Sequence, residues 1–337
     1  MKKRIAINGL GRIGNQVLRH YIHTLPEHCE IVAANTSSVE DAAYLLKYDS
    51  VHGRADFDIT TEGNEKLVID GHEIAIVSSH DPLKLPWKAL DIDIVLECTG
   101  RFTEGELAAQ HLTAGAKKVI ISAPGKNVDK TIVLGVNQNE YDNASHHVLS
   151  NASCTTNSLA PAMKVLEENF GVENAMITTT HAYTSSQTTV DKRAKKRRRG
   201  RASAVNIIPT TTGAAIATVE VIPALAGKME AMALRVPVPD GAITEIVALV
   251  KKDVSADAVN KAFEEAARGE LKGILAFTTE EIVSTDIIGN LHSSIIDGLS
   301  TSVAGNRMVK VLAWYDNEYG YSQRLLELAD FVAGKMD

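Results

Sequence analysis

Cys154 stands in the run Ser150-Asn151-Ala152-Ser153-Cys154-Thr155-Thr156-Asn157, after the β-like stretch His147-Val148-Leu149 and before an apolar-periodic segment over 159–170. That order reads as strand, tight turn and helix, with the thiol at the helix start. There the unpaired N–H groups and the helix dipole favour a thiolate, which is a nucleophile for an electrophilic carbon. Ser153, Thr155, Thr156 and Asn157 add hydroxyls and an amide suited to capping the helix or holding an anion. The competing reading is a buried structural cysteine. His181 ends the β-branched run 175–180 and offers a base for such a thiol, although any one of the eleven histidines is more often a surface or core residue. Arg235 is a lone cation in the apolar run Leu234-Arg235-Val236-Pro237. It is either paired or binds an anion, because an unpaired buried cation is costly. Pro209-Thr210-Thr211-Thr212-Gly213 is a hydroxyl-rich turn, either a cap or an anion site.

The elements that must position these groups fall into two halves. Residues 4–8 read as a short buried strand, followed at once by Gly9-Leu10-Gly11-Arg12-Ile13-Gly14 and a helical stretch over 15–23. In this setting G-x-G-x-x-G carries meaning: a tight turn, a close approach for a pyrophosphate and close helix–strand packing. The second strand, 30–35, ends in Asn35-Thr36-Ser37-Ser38, where an NAD-binding unit usually carries a carboxylate for the ribose. With no carboxylate to repel a 2′-phosphate, and hydroxyls to bind one, NADP is favoured over NAD. The other reading makes Thr36 and Ser37 ordinary turn residues.

A hairpin is expected around Asp70-Gly71, and further strands over 92–97, 118–121 and 131–136, with a helix over 105–114. Alternating strands and helices imply a doubly wound parallel sheet, and the loops 9–14, 35–38, 98–102 and 122–125 should line its cleft. Cys98 reads as packing. After Asn157 the strands are longer, over 232–239, 244–252 and 309–315, as in an α+β domain with a mixed, largely antiparallel sheet. The fold class is therefore α/β, a Rossmann sheet plus an α+β catalytic domain. The expected domains are 1–152, 153–318 and a C-terminal helix, 319–337, that packs back on the first.

Composition narrows the function. A chain of 337 residues, 45% hydrophobic and 23% charged, can bury a large core in two domains. A net charge of −7 makes no general case for nucleic acid or membrane. Three scattered cysteines give neither a disulfide framework nor a zinc site, so no metal is expected. No apolar run approaches the roughly 18 residues of a membrane span, and the basic start Met1-Lys2-Lys3-Arg4 lacks a signal-peptide core. A cytoplasmic enzyme is expected. One segment is strongly basic: Lys192 to Arg201 holds eight cations in ten residues. It reads as a solvated loop, a nucleic-acid patch or an anion-binding loop for phosphates. The absence of interleaved aromatics disfavours nucleic acid.

Over essentially its full length the chain resembles the phosphorylating glyceraldehyde-3-phosphate dehydrogenases. The resemblance is carried by residues 6–14, Leu46-Lys47-Tyr48-Asp49-Ser50, Glu97-Cys98-Thr99-Gly100 and 150–157. It continues in His181-Ala182-Tyr183-Thr184, residues 206–215 and 234–239, and Trp314-Tyr315-Asp316-Asn317-Glu318-Tyr319-Gly320. The resemblance implies that Cys154 attacks the aldehyde of glyceraldehyde 3-phosphate and His181 acts as base. A thioester is then released by inorganic phosphate. It assigns Thr184 and Arg235 to the substrate phosphate, and Ser153, Thr155, Arg199, Thr212 and Gly213 to the attacking phosphate. Gly9, Gly11, Arg12, Ile13, Gly14, Asn35, Thr36, Ser37, His80, Thr99, Ser122 and Asn317 fall at cofactor positions, and a homotetramer is implied.

Departures from the family pattern point to the cofactor. Thr36 replaces the Asp of NAD-using members, and Lys192-Arg193 replaces a Leu-Pro pair in a loop that reaches a neighbouring subunit's cofactor. Both changes favour NADP, with NAD as the second cofactor. His80 stands where many members have arginine. The alternatives are erythrose-4-phosphate dehydrogenase, and a secondary binding role of the basic loop, including docking of an acidic regulatory partner.

Overall fold

The computed structural model describes residues 1–336. The chain divides into two compact units. Unit 1 comprises residues 1–132, 138–152 and those from Ser322 onward; unit 2 comprises 133–137 and 153–321.

Unit 1 is built on a nine-stranded sheet, in the order Lys130–Thr131, Val148–Ser150, Lys118–Ile121, Ile94–Glu97, Lys3–Asn8, Cys29–Asn35, His72–Val77, Lys66–Ile69 and Ile59–Glu62. The first seven strands are mutually parallel, and each of the last two is antiparallel to the strand before it. Ile5, Ile7, Val95, Leu96, Val119 and Ile120 are fully buried, as expected of strands covered on both faces. Strand order reverses about Lys3–Asn8. The doubly wound topology therefore opens a crevice at this strand's C-terminal end, beside Ile94–Glu97. Gly9 begins the turn there at φ +102°, and a Cβ on Gly14 would lie 2.2 Å from the Gly9 carbonyl oxygen, so the helix Arg12–Thr24 meets the strand only through glycine. The final helix, Tyr319–Ala333, reaches unit 1 with its later turns: Asp330 Oδ1 accepts from His28 N at 2.8 Å.

Two expectations fail. The strand expected over 131–136 pairs only at Lys130–Thr131; beyond it Val133 N donates to Asn137 Oδ1 at 2.9 Å and the chain turns into unit 2. The helix over 105–114 is two short pieces, Gly105–Ala108 and Gln110–Thr113.

Unit 2 carries a mixed eight-stranded sheet. Its path is Ile208–Thr211, Met229–Val236, Val172–Ala182, Ala242–Val250, Met308–Tyr315, Ser294–Asp297 and Leu275–Thr278, with Ser302–Ala304 on the side of Met308–Tyr315. The long helix Cys154–Phe170 lays Leu159, Met163, Leu166 and Phe170 on one face, against Ala175, Ile177, Ile246, Val311 and Ala313. Residues of Val172–Ala182 alternate, so Ala175, Ile177, Thr179 and His181 all face the helix. Fixing that face fixes what the helix start meets.

Candidate active site

Cys154 is the first residue of its helix. The turn before it is tight: Ala152 sits at φ +53°, a left-handed conformation unusual for a residue with a Cβ. Ser153 caps the helix, its Oγ accepting from Thr156 N at 3.0 Å and lying 2.8 Å from Thr156 Oγ1. Thr155 is buried, its hydroxyl 2.9 Å from Tyr315 Oη, which is in turn 2.8 Å from Thr179 Oγ1. Asn157 Nδ2 donates to Ser153 O at 3.0 Å. Ser153 and Thr155, both expected at the attacking phosphate, have structural contacts at the helix start. Ser153 is a cap, and the Thr155 hydroxyl is held by Tyr315 from a strand 160 residues away.

His181 Nε2 lies 3.4 Å from Cys154 Sγ. Parallel pairing of Val172–Ala182 with Met229–Val236 sets His181 directly opposite Arg235. Arg235 Nη1 is 2.7 Å from His181 Nδ1 and donates to Ala182 O at 2.8 Å; His181 Nδ1 is also 2.8 Å from Ala182 O. These contacts make opposite demands. Nδ1–H donating to Ala182 O leaves the Nε2 lone pair facing the thiol. Nδ1 accepting from Arg235 places the hydrogen on Nε2 instead.

Burial pushes the Cys154 thiol up, while the Arg235 charge and the hydroxyl and N–H of Thr155 pull it down. Burial, reinforced by Arg235, pushes His181 down to about 3. The free site therefore holds the imidazole neutral and makes it a weak base while Arg235 stands beside it. The thiolate expected from the helix start alone is opposed by desolvation.

Among the described residues Arg235 faces no carboxylate, and its buried Nε has no hydrogen-bond partner. Arg199 likewise faces no carboxylate among the described residues. Arg199 Nε donates to Thr210 Oγ1 at 2.9 Å, Nη1 to Ser186 Oγ at 3.1 Å and Nη2 to Thr211 O at 3.2 Å. Thr184 joins this group, 2.9 Å from Ser186 Oγ. Thr212 Oγ1 accepts from Ala214 N at 3.2 Å, and Gly213 leads into the helix Ala214–Val221 with no side-chain cap and open space where a Cβ would stand. Two cations without acidic partners, one beside the thiol pair and one beside a bare helix start, suit anions. Asn317 is buried, and its Oδ1 has no partner among the described residues.

In the basic loop, Arg201 Nε pairs with Asp191 at 2.8 Å. Lys192, Arg193, Lys195 and Arg197 are exposed around one concave patch.

Unit 1 holds a cleft of roughly 330 Å³ at its switch point. Of the cofactor residues expected from sequence, Gly9, Gly11, Asn35, Thr36, Ser37, His80 and Thr99 line it. Arg12, Ile13, Gly14 and Ser122 are not among the residues lining it. The Arg12 side chain forms a bidentate pair with Asp49, at 2.6 and 3.1 Å. Burial pushes Asp49 up, but Arg12 and the N–H groups of His52 and Val51 outweigh it and bring the carboxyl to about 2. Arg101 and Phe102 line the cleft from the 98–102 loop expected there; Ser78 and Ser79 also line it and were not foreseen, although their place at a strand end was the signal. No Asp or Glu lines it, although an adjoining groove that shares Thr36, Ser37 and Ser78 includes Glu40 and Glu65. Gly11 lines the cleft with open space at its Cβ position, so a side chain there would fill it. The helix it precedes has no side-chain cap and no acid in its first turn. That cradle fits the pyrophosphate of a dinucleotide. Cys98 is held by Ser122 and pushed by burial to about 12, consistent with packing.

Two family profiles match the chain: the glyceraldehyde 3-phosphate dehydrogenase NAD binding domain over residues 3–105, and the C-terminal domain of the same family over 153–317. The glyceraldehyde-3-phosphate dehydrogenase of Geobacillus stearothermophilus is 53% identical over 336 residues, 99% of each chain. The chain belongs to the glyceraldehyde-3-phosphate dehydrogenase family. Glyceraldehyde-3-phosphate dehydrogenase 2 of Bacillus subtilis is 50% identical over 337 residues, 100% of this chain and 98% of that one. The Streptomyces coelicolor relative is 49% identical over 341 residues, all of both chains. This family member is thus an oxidoreductase with a nicotinamide-dinucleotide domain. No helix among its described residues is long and apolar enough to cross a membrane.

Proposed function

We propose that the chain oxidises glyceraldehyde 3-phosphate with inorganic phosphate to 1,3-bisphosphoglycerate, and catalyses the reverse, through acyl chemistry on Cys154. The observation that carries this reading is the 3.4 Å contact of Cys154 Sγ with His181 Nε2, beside a cation that has no carboxylate. Sγ bonds to the aldehyde carbon as its proton passes to His181 Nε2, and the carbonyl oxygen takes that proton back from Nε2 to give a hemithioacetal. His181 then takes the hemithioacetal hydroxyl proton as the carbon is oxidised. A bound nicotinamide supplies the hydride acceptor. The carbon is left as a thioester, which a phosphate oxygen attacks, expelling Sγ.

Arg235, with Thr184, is read as holding the substrate phosphate. An anion that draws the guanidinium off His181 Nδ1 leaves that nitrogen's hydrogen to Ala182 O and turns the Nε2 lone pair to the thiol. Arg199, Thr212 and Gly213 are read as holding the attacking phosphate, with Ser153 and Thr155 shaping the helix start beside it. Asn317 Oδ1, a buried acceptor without a partner, suits a carboxamide N–H.

NADP is proposed as the preferred cofactor and NAD as the second. The acid-free lining of the cleft, with Thr36, Ser37, Ser78, His80 and Arg101, supports this, as do the exposed Lys192 and Arg193. A homotetramer in the cytoplasm is the accompanying proposal. Met176, Met232 and Met308 stand exposed on the sheet face away from the Cys154 helix, an apolar surface suited to a second copy. Initial rates with glyceraldehyde 3-phosphate, with and without phosphate and with each cofactor, test the reading. Phosphate-independent steady turnover would refute it.

A further inference from the structure

Beneath the unit 1 cleft lies a chain of buried polar groups that none of the chemistry above uses. Glu97, at the end of its strand, is 1% exposed, and His111 and Trp87 are 0% exposed. Trp87 Nε1 donates to His111 Nδ1 at 2.9 Å. Indole N–H is a donor only, so Nδ1 must accept and the imidazole hydrogen lies on Nε2. That hydrogen points at Glu97 Oε2, 3.0 Å away. Asn8 Nδ2 donates to the same oxygen in a short hydrogen bond. Glu97 Oε1 accepts from Thr99 N at 2.8 Å and, in a second short bond, from Thr99 Oγ1. The chain continues on the other side. Asn35 Nδ2 donates to Asn8 Oδ1 at 2.6 Å and to Ser79 O at 2.7 Å, while Asn35 Oδ1 accepts from Ser79 N at 2.9 Å.

Two consequences follow. A buried carboxylate with four donors and no cation is stable only while every donor points at it, so Glu97 sets the direction of the whole chain. The groups it ties together are the cleft walls: Asn8, Asn35, Ser79 and Thr99 all line the cleft, and Phe102, another lining residue, meets the edge of the His111 ring at 6.1 Å. The same bonds hold Thr99 against the Gly9 turn, where a Cβ on Gly9 would come 2.9 Å from Thr99 Cγ2.

We infer that Glu97 and His111 are positioning residues for the dinucleotide: one buried anion and its neutral, Trp87-oriented imidazole hold the Gly9, Asn35–Ser79 and Thr99 walls at the spacing the cofactor needs. The inference rests on reading the cleft as the cofactor site. Neither residue lines the cleft, and neither is near Cys154 in sequence.

The test compares His111→Leu, Glu97→Gln and His111→Gln in the full chain by steady-state kinetics and by calorimetric titration with NADP and NAD. Leucine removes both bonds. Glutamine at 97 turns an amide N–H toward groups that themselves donate. Glutamine at 111 can still accept from Trp87 and donate to Glu97. The expected result is a cofactor KM and Kd raised about tenfold in His111→Leu and Glu97→Gln. Their kcat and their KM for glyceraldehyde 3-phosphate should stay within about twofold, and His111→Gln should recover to within about threefold of wild type. Should His111→Leu or Glu97→Gln fail to fold, Trp87→Phe carries the test, because it deletes the N–H and keeps an aromatic ring in the core; it is expected to raise cofactor Kd alone. Unchanged cofactor Kd in folded variants, or equal losses in every kinetic constant, overturns the inference. A wild-type chain that binds neither dinucleotide overturns instead the reading of the cleft on which it rests.

Discussion

Arg235 Nη1 lies 2.7 Å from His181 Nδ1, in neighbouring parallel strands whose register pairs the two residues directly. A cation so close to the rear nitrogen of the proposed base links substrate charge to proton transfer. Arg235→Leu should raise the KM for glyceraldehyde 3-phosphate roughly 10- to 100-fold, the loss expected for a charge-assisted bond to a desolvated phosphate. Oxidation of unphosphorylated glyceraldehyde should change far less. Equal losses for the two aldehydes would remove Arg235 from the phosphate.

His181 is the proposed proton acceptor for a thiol that burial pushes up. Without the imidazole, the thiol must lose its proton to bulk water, and a raised pKa means that the thiolate is lost as pH falls below it. His181→Asn should therefore slow alkylation of Cys154 by iodoacetamide at pH 7 by about 100-fold. The rate should recover only in the alkaline range. Wild-type alkylation rates at pH 7 in the variant would contradict the pairing.

Thr36 and Ser37 line the cleft with no acid beside them in that lining. Thr36→Asp should lower NADP affinity relative to NAD by about tenfold or more, since a carboxylate would face a 2′-phosphate. Replacing Lys192 and Arg193 together by Leu and Pro should move the ratio in the same direction and flatten its salt dependence. Unchanged ratios in both variants would mean that the preference is set elsewhere.

Asp49, brought down to about 2, is the clearest pH-linked contributor to unit 1 stability. A lowered carboxyl stabilises the fold above the unfolded value near 4 and loses that contribution as pH falls toward 2. Its partner Arg12 is half exposed, so screening reduces the effect, and Asp49→Asn should cost on the order of 1–2 kcal/mol at pH 7. The difference between variant and wild type should shrink below pH 4 in denaturant titrations. A pH-independent difference would assign the loss to packing.

Some of this was legible in the sequence because it is local. Gly9 to Gly14 specifies a turn and a helix start within one stretch, and Ser153-Cys154 specifies a cap and a first helical residue. Contacts set by register were not legible. Nothing in the run around Arg235 says that it pairs with His181, and nothing around Thr155 points to Tyr315. The Glu97 chain draws Asn8, Trp87, Thr99 and His111 from separate elements, and only the sheet order assembles them. The turn at 133–137 reads as a strand because its residues are apolar and β-branched, yet only Lys130–Thr131 finds a neighbouring strand to pair with.

The central claim is that Cys154 carries an acyl group which only phosphate releases. Rapid mixing of the wild-type chain with glyceraldehyde 3-phosphate and NADP in phosphate-free buffer tests it, with reduced cofactor followed by absorbance and the protein by intact mass. The account predicts a burst of about one reduced cofactor per active site, a stall with an acyl mass on Cys154, and steady turnover once phosphate is added. Cys154→Ser should show no burst while still binding cofactor. Sustained turnover without phosphate, or a burst that leaves Cys154 unmodified, would contradict it.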